Sequence, residues 1–180
     1  MNKPVCIDSH LIIWGIKKEA SKGQEHMIEK AENFFKYMDS ERIEIIIPSI
    51  VVAEILTPET AEKRTEYLRV LTKSFRICDF DLLSAKKYAE LLHVKLPDIK
   101  EYRTNNSIRN DKMKFDYAIV ATAIVNNASC IYSYDPHLSK FANGIIEIKE
   151  IPPIPKQSVI DFEQEEISGV RITDKDFDDF

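Results

Sequence analysis

Four carboxylates of this chain lie where apolar runs meet a turn or a helix. Asp8 ends PVCID, Glu54 lies within SIVVAEIL, Asp116 begins DYAIVATAIV, and Asp135 follows CIYSY. An acid at such a boundary costs free energy unless it stays in water or holds a cation. The pattern therefore predicts that these four side chains share one metal site.

The type of ligand limits which metal ion could bind and which reaction it could catalyse. Clustered carboxylates repel one another and raise each other's pKa unless a hard cation neutralises them. Oxygen ligands favour Mg²⁺ or Mn²⁺, and no His or Cys lies at ligand spacing for zinc. Such ions lower the pKa of bound water and stabilise charge on a phosphoryl group. We therefore expect hydrolysis of a phosphodiester bond.

Each acid alone also has an ordinary structural explanation. Asp116 is compatible with a helix N-terminus that favours negative charge, Asp135 with a cap for a helix beginning at Pro136, and Glu54 with a solvated helix position. Asp8 is harder to explain in this way, because apolar residues flank it on both sides. Taken one at a time, the four acids are therefore compatible both with a shared metal site and with ordinary structural roles.

Strands and helices alternate along the chain. Short runs rich in Ile, Val or Cys predict strands at 4–8, 43–48, 75–78, 130–133 and 145–148. Helical spacing and capping signals predict helices at 24–39, from a Ser49 cap through Leu56, from a Thr57 cap through Leu71, at 81–94, at 112–127, and from Asp135. This alternation predicts a parallel sheet of four to five strands, covered by helices on both faces.

The topology of such a sheet explains how distant acids meet. Right-handed crossovers place the carboxyl ends of all parallel strands along one edge, and ligands bind at that edge. Sequence separations of 46, 62 and 19 residues between the four acids therefore do not prevent their convergence.

Length and composition predict one globular domain at residues 1–150. The chain has 180 residues and 44% hydrophobic content, and the prolines of IPPIP at 151–155 mark the start of an acidic tail, extended or disordered, at 151–180. No run approaches the roughly 20 apolar residues of a membrane span, and the N-terminus has no long apolar secretion signal. We expect a cytoplasmic protein whose Cys6, Cys78 and Cys130 are reduced core thiols.

Charge is divided unevenly. Residues 156–180 carry three basic and eight acidic residues, a net charge of −5, whereas residues 1–155 carry 22 of each. The body is therefore neutral, and its net charge neither indicates nor excludes a nucleic-acid partner. One hypothesis is that the tail mimics nucleic-acid charge and packs over a basic surface of its own or a neighbouring chain.

A polar stretch at 97–111 interrupts the alternation of predicted strands and helices. Residues 95–114 carry six basic and three acidic residues, a net charge of +3. Tyr102 is suited to stacking on an exposed base, and the candidate RNA-binding residues are Lys100, Tyr102, Arg103, Arg109, Lys112 and Lys114. Asp111 is a weaker candidate for an outer-shell acid. The alternative is a solvated loop.

The four acidic motifs, taken in order, resemble the PIN domain family, and in particular the PIN-type toxins of toxin-antitoxin pairs. The likeness covers residues 4–150. It lies in CIDSHLIIW, PSIVVAEIL, DYAIVATAIVNNA and IYSYD, which are similar to the family's opening Asp, its Glu-bearing helix, its Asp-led helix of small residues, and its strand ending in a hydroxyl residue, any residue, then Asp.

The resemblance implies an α/β/α sandwich with a central parallel sheet and a Mg²⁺- or Mn²⁺-dependent ribonuclease. Asp8, Glu54, Asp116 and Asp135 match the family's acidic quartet, and Ser9 and Ser133 match small polar positions that orient ligands or waters. As turn-forming serines, the last two have an equally simple explanation. An RNA substrate, an antitoxin partner and a homodimer are implied by the resemblance alone.

Three other functions are also compatible with parts of this sequence. A Mg²⁺-dependent phosphatase-type domain usually has a second Asp two residues after the first, where this chain has His10. A receiver-type domain needs paired acids near its first strand, where Cys6-Ile7-Asp8 supplies one. A non-catalytic PIN-like RNA-binding or scaffold module is the third alternative, and the intact acidic quartet argues against it. His10 and Trp14, four residues apart, are expected on one helical face.

Overall fold

The computed structural model describes residues 2–105 and 110–153, and within them it leaves the side chains of 95–105 and 110–112 undescribed. The predicted acidic tail lies outside the described residues from 154 onward. Ile151, at the start of IPPIP, is buried in the core, and its N–H donates to the Tyr134 hydroxyl at 3.1 Å.

A five-stranded, all-parallel sheet forms the centre of the fold, which confirms the predicted sheet. Its strands are β1 Val5–Ile7, β2 Ile45–Pro48, β3 Arg76–Cys78, β4 Ile131–Tyr132 and β5 Ile148–Lys149. They lie in the order β3-β2-β1-β4-β5. β1, β2 and β4 are buried throughout, as expected of strands covered on both faces.

The last strand was predicted too early, at 145–148. Gly144 has a φ of +71°, and the N–H groups of Ile145 and Ile146 both donate to the Ala142 carbonyl, at 2.9 and 3.2 Å. These two isoleucines therefore form the turn that ends the preceding helix, and pairing with β4 begins only at Ile148.

Helices flank the sheet in a three-layer α/β/α arrangement. In the described part of the chain they are α1 Ser9–Ile12, α2 His26–Ser40, α3 Ser49–Leu56, α4 Ala61–Ser74, α5 Leu82–Asn105, α6 Asn110–Val125 and α7 Pro136–Ala142. A π-helical segment, Ile13–Lys17, continues α1. As predicted, Asp135 caps α7 through its side chain.

Two predicted caps are wrong. Ser49 is the first residue of α3, and its hydroxyl accepts the Phe80 N–H at 3.3 Å from across the fold. Thr57 follows the end of α3, where its hydroxyl donates to the Ala53 carbonyl at 2.7 Å. The N-cap of α4 is Thr60, which accepts the Lys63 N–H at 3.4 Å.

The helix predicted to end at 94 continues to Asn105, so the solvated-loop interpretation of 97–111 is wrong through that residue. The helix therefore passes through Pro97, a residue that usually kinks or ends one. Nearer its start, α5 packs against α6, where Tyr88 lies against Met113 and Tyr117.

The core lies between the sheet and its helices and contains residues such as Leu11, Phe34 and Ile46. All three cysteines are buried and free, as predicted. Among the residues that the structure describes, no helix combines the length and hydropathy needed to cross a bilayer.

Candidate active site

The acids lie at the point where the order of the strands reverses. From β1 the chain builds outward to β2 and β3, and it then returns to place β4 on the other side of β1. A crevice opens at such a switch point, beyond the carboxyl ends of the strands. Asp8, Glu54, Asp116 and Asp135 all line one cleft there, with a volume of about 540 Å³.

Asp8 is held by hydrogen bonds with three residues. It is buried directly after β1, and its own N–H donates to the Tyr132 carbonyl at 3.2 Å. Its carboxylate caps α1 by accepting the His10 N–H at 3.0 Å, and it also accepts the Ser133 hydroxyl. The His10 Nδ1 atom lies 3.3 Å from the same carboxylate. These bonds fix the first acid at the floor of the cleft.

Ser133 joins the first acid to the last. While it donates to Asp8, its oxygen accepts the Asp135 N–H at 3.0 Å. Asp135 is half-buried and caps α7 by accepting the His137 N–H at 2.8 Å. The loops that follow β1 and β4 are therefore joined through one buried hydroxyl.

Glu54 reaches the cleft from α3 and stays open to it. Removal of water by the surrounding protein raises the pKa of its carboxyl group, and the charges of Asp8 and Asp135 raise it further. A hydrogen bond from the Ser9 hydroxyl and the nearby His10 ring oppose this rise. Both desolvation and the neighbouring carboxylates therefore favour binding of a proton or a cation at Glu54.

Asp116 comes from α6, seven residues into the helix, and is buried. The next residue, Tyr117, packs against Phe141 with ring centroids 5.6 Å apart. Burial, followed by the charge of Asp116, raises the pKa of Tyr117 to about 12. The packing of Tyr117 against Phe141 therefore anchors α6 next to Asp116.

The oxygen donors suit Mg²⁺ or Mn²⁺ by type. Their spacing is wider than a coordination sphere: within 2–105 and 110–153, no three His, Cys, Asp or Glu residues lie close enough to hold one ion. The structure thus brings the four acids to one cleft without bringing them to a common point. To share an ion, the carboxylates must rotate toward one another.

No family model matches the sequence, and no curated protein does. Solved structures do match this chain. A chain of VapBC2 from Rickettsia felis, in a crystal structure bound to a DNA fragment from its promoter, is similar with a TM-score of 0.55 and 18% identity, over 82% of this chain and 98% of that one. A toxin-antitoxin complex from Klebsiella pneumoniae gives a TM-score of 0.52 and 14% identity, over 83% and 99%. The fold is PIN-like. At these identities the likeness establishes the fold alone.

Several residues of the cleft of this PIN-like fold were not singled out from the sequence: Ile13, Lys17, Ile55, Pro58, Phe115, Ile119 and Leu138. Lys17 is the charged one among them. It follows Asp8 by nine residues and is the last residue of the π-helical segment. His10 does line the cleft, and its ring lies 5.5 Å from that of Trp14, as their spacing predicts.

The structure does not describe the side chains of most of the candidate RNA-binding residues. These are Lys100, Tyr102, Arg103, Arg109 and Lys112, and the same holds for Asp111. Lys114 is described and exposed. It lines an apolar groove of about 570 Å³ beside the cleft, and Phe115 lines both. The groove that Lys114 lines is therefore next to the acidic cleft.

Proposed function

We propose that this protein is a Mg²⁺- or Mn²⁺-dependent endoribonuclease that hydrolyses RNA at Asp8, Glu54, Asp116 and Asp135. The observation that carries the proposal is the meeting of these four acids in one cleft, at the switch point of a parallel sheet in a PIN-like fold. The raised pKa of Glu54, caused by burial and then by Asp8 and Asp135, supports it, because a divalent cation relieves that repulsion.

The chain's own contribution is to hold and orient the acids. A bound divalent ion supplies Lewis-acid activation of water and neutralises charge at the phosphoryl oxygens. Ser133 fixes Asp8 and Asp135 relative to each other, and Ser9 donates to Glu54. Apolar side chains such as Ile119 and Leu138 line the same cleft and restrict the access of bulk water. No His or Ser nucleophile is needed for this reaction.

A protein partner is part of the proposal. Of the two similar structures reported above, one is described as a toxin-antitoxin complex and the other as VapBC2 bound to a DNA fragment from its promoter. We propose that this chain is the toxin of such a pair, that an antitoxin covers the acidic cleft, and that the chain forms a homodimer. Coexpression with the product of a neighbouring small reading frame should relieve growth inhibition and yield a complex on size-exclusion chromatography.

The central test is metal-dependent cleavage of RNA. Purified protein should cut structured or unstructured RNA with Mn²⁺ and stop when a chelator is added. Asp116→Asn should lower the rate by at least about 100-fold, because charge at the reacting centre is lost. Asp39→Asn, at an exposed position of α2 away from the cleft, is the matched control and should keep full activity. Cleavage that survives the chelator or Asp116→Asn would indicate a contaminant. If no cleavage depends on both the metal and Asp116, the proposal is refuted.

A second candidate is a non-catalytic PIN-like RNA-binding or scaffold module. It is favoured by the spacing of the acids, since no three of them share a coordination sphere among the described residues. RNA binding without metal-dependent cleavage in the same assay would identify it.

A further inference from the structure

The cleft that the four acids line also has a lysine among its lining residues. Of the described residues that line it, Lys17 is the one lysine or arginine. It is the last residue of the π-helical segment, and Lys18 follows in a left-handed conformation with a φ of +57°. The Lys17 side chain is only 5% exposed. Local helix geometry thus presents a buried ammonium to an acidic cleft.

Lys17 is held from the turn between α3 and α4. Its Nζ forms an ion pair with Glu59, whose side chain is 9% exposed, and it lies 3.8 Å from Glu19. The ring of Tyr67 lies beneath the ammonium at 5.5 Å. Glu59 is adjacent to Pro58, which lines the cleft. The ion pair therefore lies where the cleft meets this turn.

An ammonium group has three N–H donors, and the Glu59 carboxylate accepts from one of them. RNA that enters the cleft brings phosphates toward four carboxylates. A cation that lines the same cleft offsets part of the resulting repulsion for the phosphates that divalent ions do not contact. The aromatic face of Tyr67 supports the ammonium without using its donors.

We infer that Lys17 binds a phosphate oxygen of the RNA backbone at the end of the cleft beside the α3–α4 turn. Glu59 is its ion-pair partner beside the cleft. This inference rests on the proposed function, since it adds a substrate contact to that site. It differs from a purely structural ion pair, in which both charges would serve folding alone.

The two roles predict different responses to salt. Each phosphate contact on a single strand adds about 0.7 to the slope of log binding constant against log salt concentration. Loss of one contact therefore lowers affinity by about fivefold at 0.1 M salt, if the effect vanishes near 1 M. Glu59→Gln removes a negative charge beside the same phosphate, so its effect on affinity has the opposite sign.

The experiment measures binding of a fluorescein-labelled single-stranded RNA by anisotropy at several salt concentrations, with Mg²⁺, in full-length protein carrying Asp116→Asn. Lys17→Gln should reduce the slope by about 0.7, and Lys17→Arg should restore it. Glu59→Gln should keep the slope and bind as tightly or more tightly. Lys63→Gln is the matched control, since Lys63 is 55% exposed, lies 3.8 Å from Glu59 and does not line the cleft.

An unchanged slope in Lys17→Gln, or equal weakening by Lys17→Gln and Glu59→Gln, would overturn the inference and leave a structural ion pair. If Lys17→Gln alone does not fold, the double variant Lys17→Gln/Glu59→Gln removes both charges and must show the same loss of slope. Cleavage by the unaltered protein is measured separately. If the protein cleaves RNA but the salt slope does not depend on Lys17, this inference fails and the proposed nuclease stands. If the salt slope depends on Lys17 but the protein does not cleave RNA, the proposed nuclease fails and the phosphate contact stands.

Discussion

At the scale of single residues, the Ser133 hydroxyl connects the two acids that follow neighbouring strands. It donates to Asp8 and accepts from the backbone of Asp135, so one side chain satisfies a buried carboxylate and orients a loop. Partners of metal-binding side chains are often nearly as important as the ligands, because they fix ligand orientation. Ser133 is therefore the most informative residue to change without touching a carboxylate.

Ser133→Ala should preserve the fold and weaken the site. Loss of both hydrogen bonds should cost about 1–3 kcal/mol of unfolding free energy, since a buried carboxylate loses a donor. The Mn²⁺ concentration needed for half-maximal cleavage should rise by about 10- to 100-fold. Urea denaturation and a Mn²⁺ titration of cleavage measure the two effects. Ser139→Ala, at an exposed position of α7, should change neither; an unchanged Mn²⁺ requirement in Ser133→Ala would contradict the orienting role.

At the scale of elements, the close contact between the π-helical segment and α2 sets where Lys17 and His10 can lie. Gly15 is buried in this contact, and a Cβ atom built there would lie 2.3 Å from Cε2 of Phe35. The Phe35 ring is itself held by Phe34 and Phe75, with centroids 5.9 and 5.3 Å away. The helix pair can therefore approach this closely only with glycine at position 15.

Gly15→Ala tests this contact. In an open helix position the change would stabilise by up to about 1 kcal/mol through helix propensity. Here overpacking should dominate and destabilise by about 1–3 kcal/mol, as measured by urea denaturation. In the double variant Gly15→Ala/Phe35→Leu the smaller side chain should recover part of the loss, so the two effects should be non-additive. A stabilised Gly15→Ala would show that the contact is looser than described.

The elements also show what the sequence can and cannot predict. The strands of Ile46 and Ile131 were predictable because short apolar runs bounded by polar residues read directly as buried parallel strands. The end of α5 was not, because the helix continues through Pro97, a residue whose local preference is to kink or end a helix. Lys17 was missed for a related reason: the π-helical turn changes the direction of its side chain, and no periodic pattern records that change.

At the scale of the whole molecule, the site depends on strand order. A sheet that begins at its centre and builds outward in both directions leaves a crevice between β1 and β4, and Asp8 and Asp135 lie on its two sides. Alternation of strands and helices predicted the parallel sheet and the common edge, but the order itself follows from long-range packing. The four acids thus line one cleft only in the folded chain.

This dependence on the folded state predicts stabilisation by divalent ions. Mg²⁺ or Mn²⁺ at 100 times its dissociation constant should add about 2.7 kcal/mol, because the separated carboxylates of the unfolded chain bind it poorly. For a protein of this length that corresponds to a rise of about 5–10 °C in Tm, which scanning fluorimetry would detect. Part of the gain comes from relief of the repulsion that, after burial, raises the pKa of Glu54. Asp116→Asn should lose most of the rise and Asp39→Asn none of it. An unchanged Tm at millimolar ion would count against a metal site in this cleft, whatever the RNA-binding results.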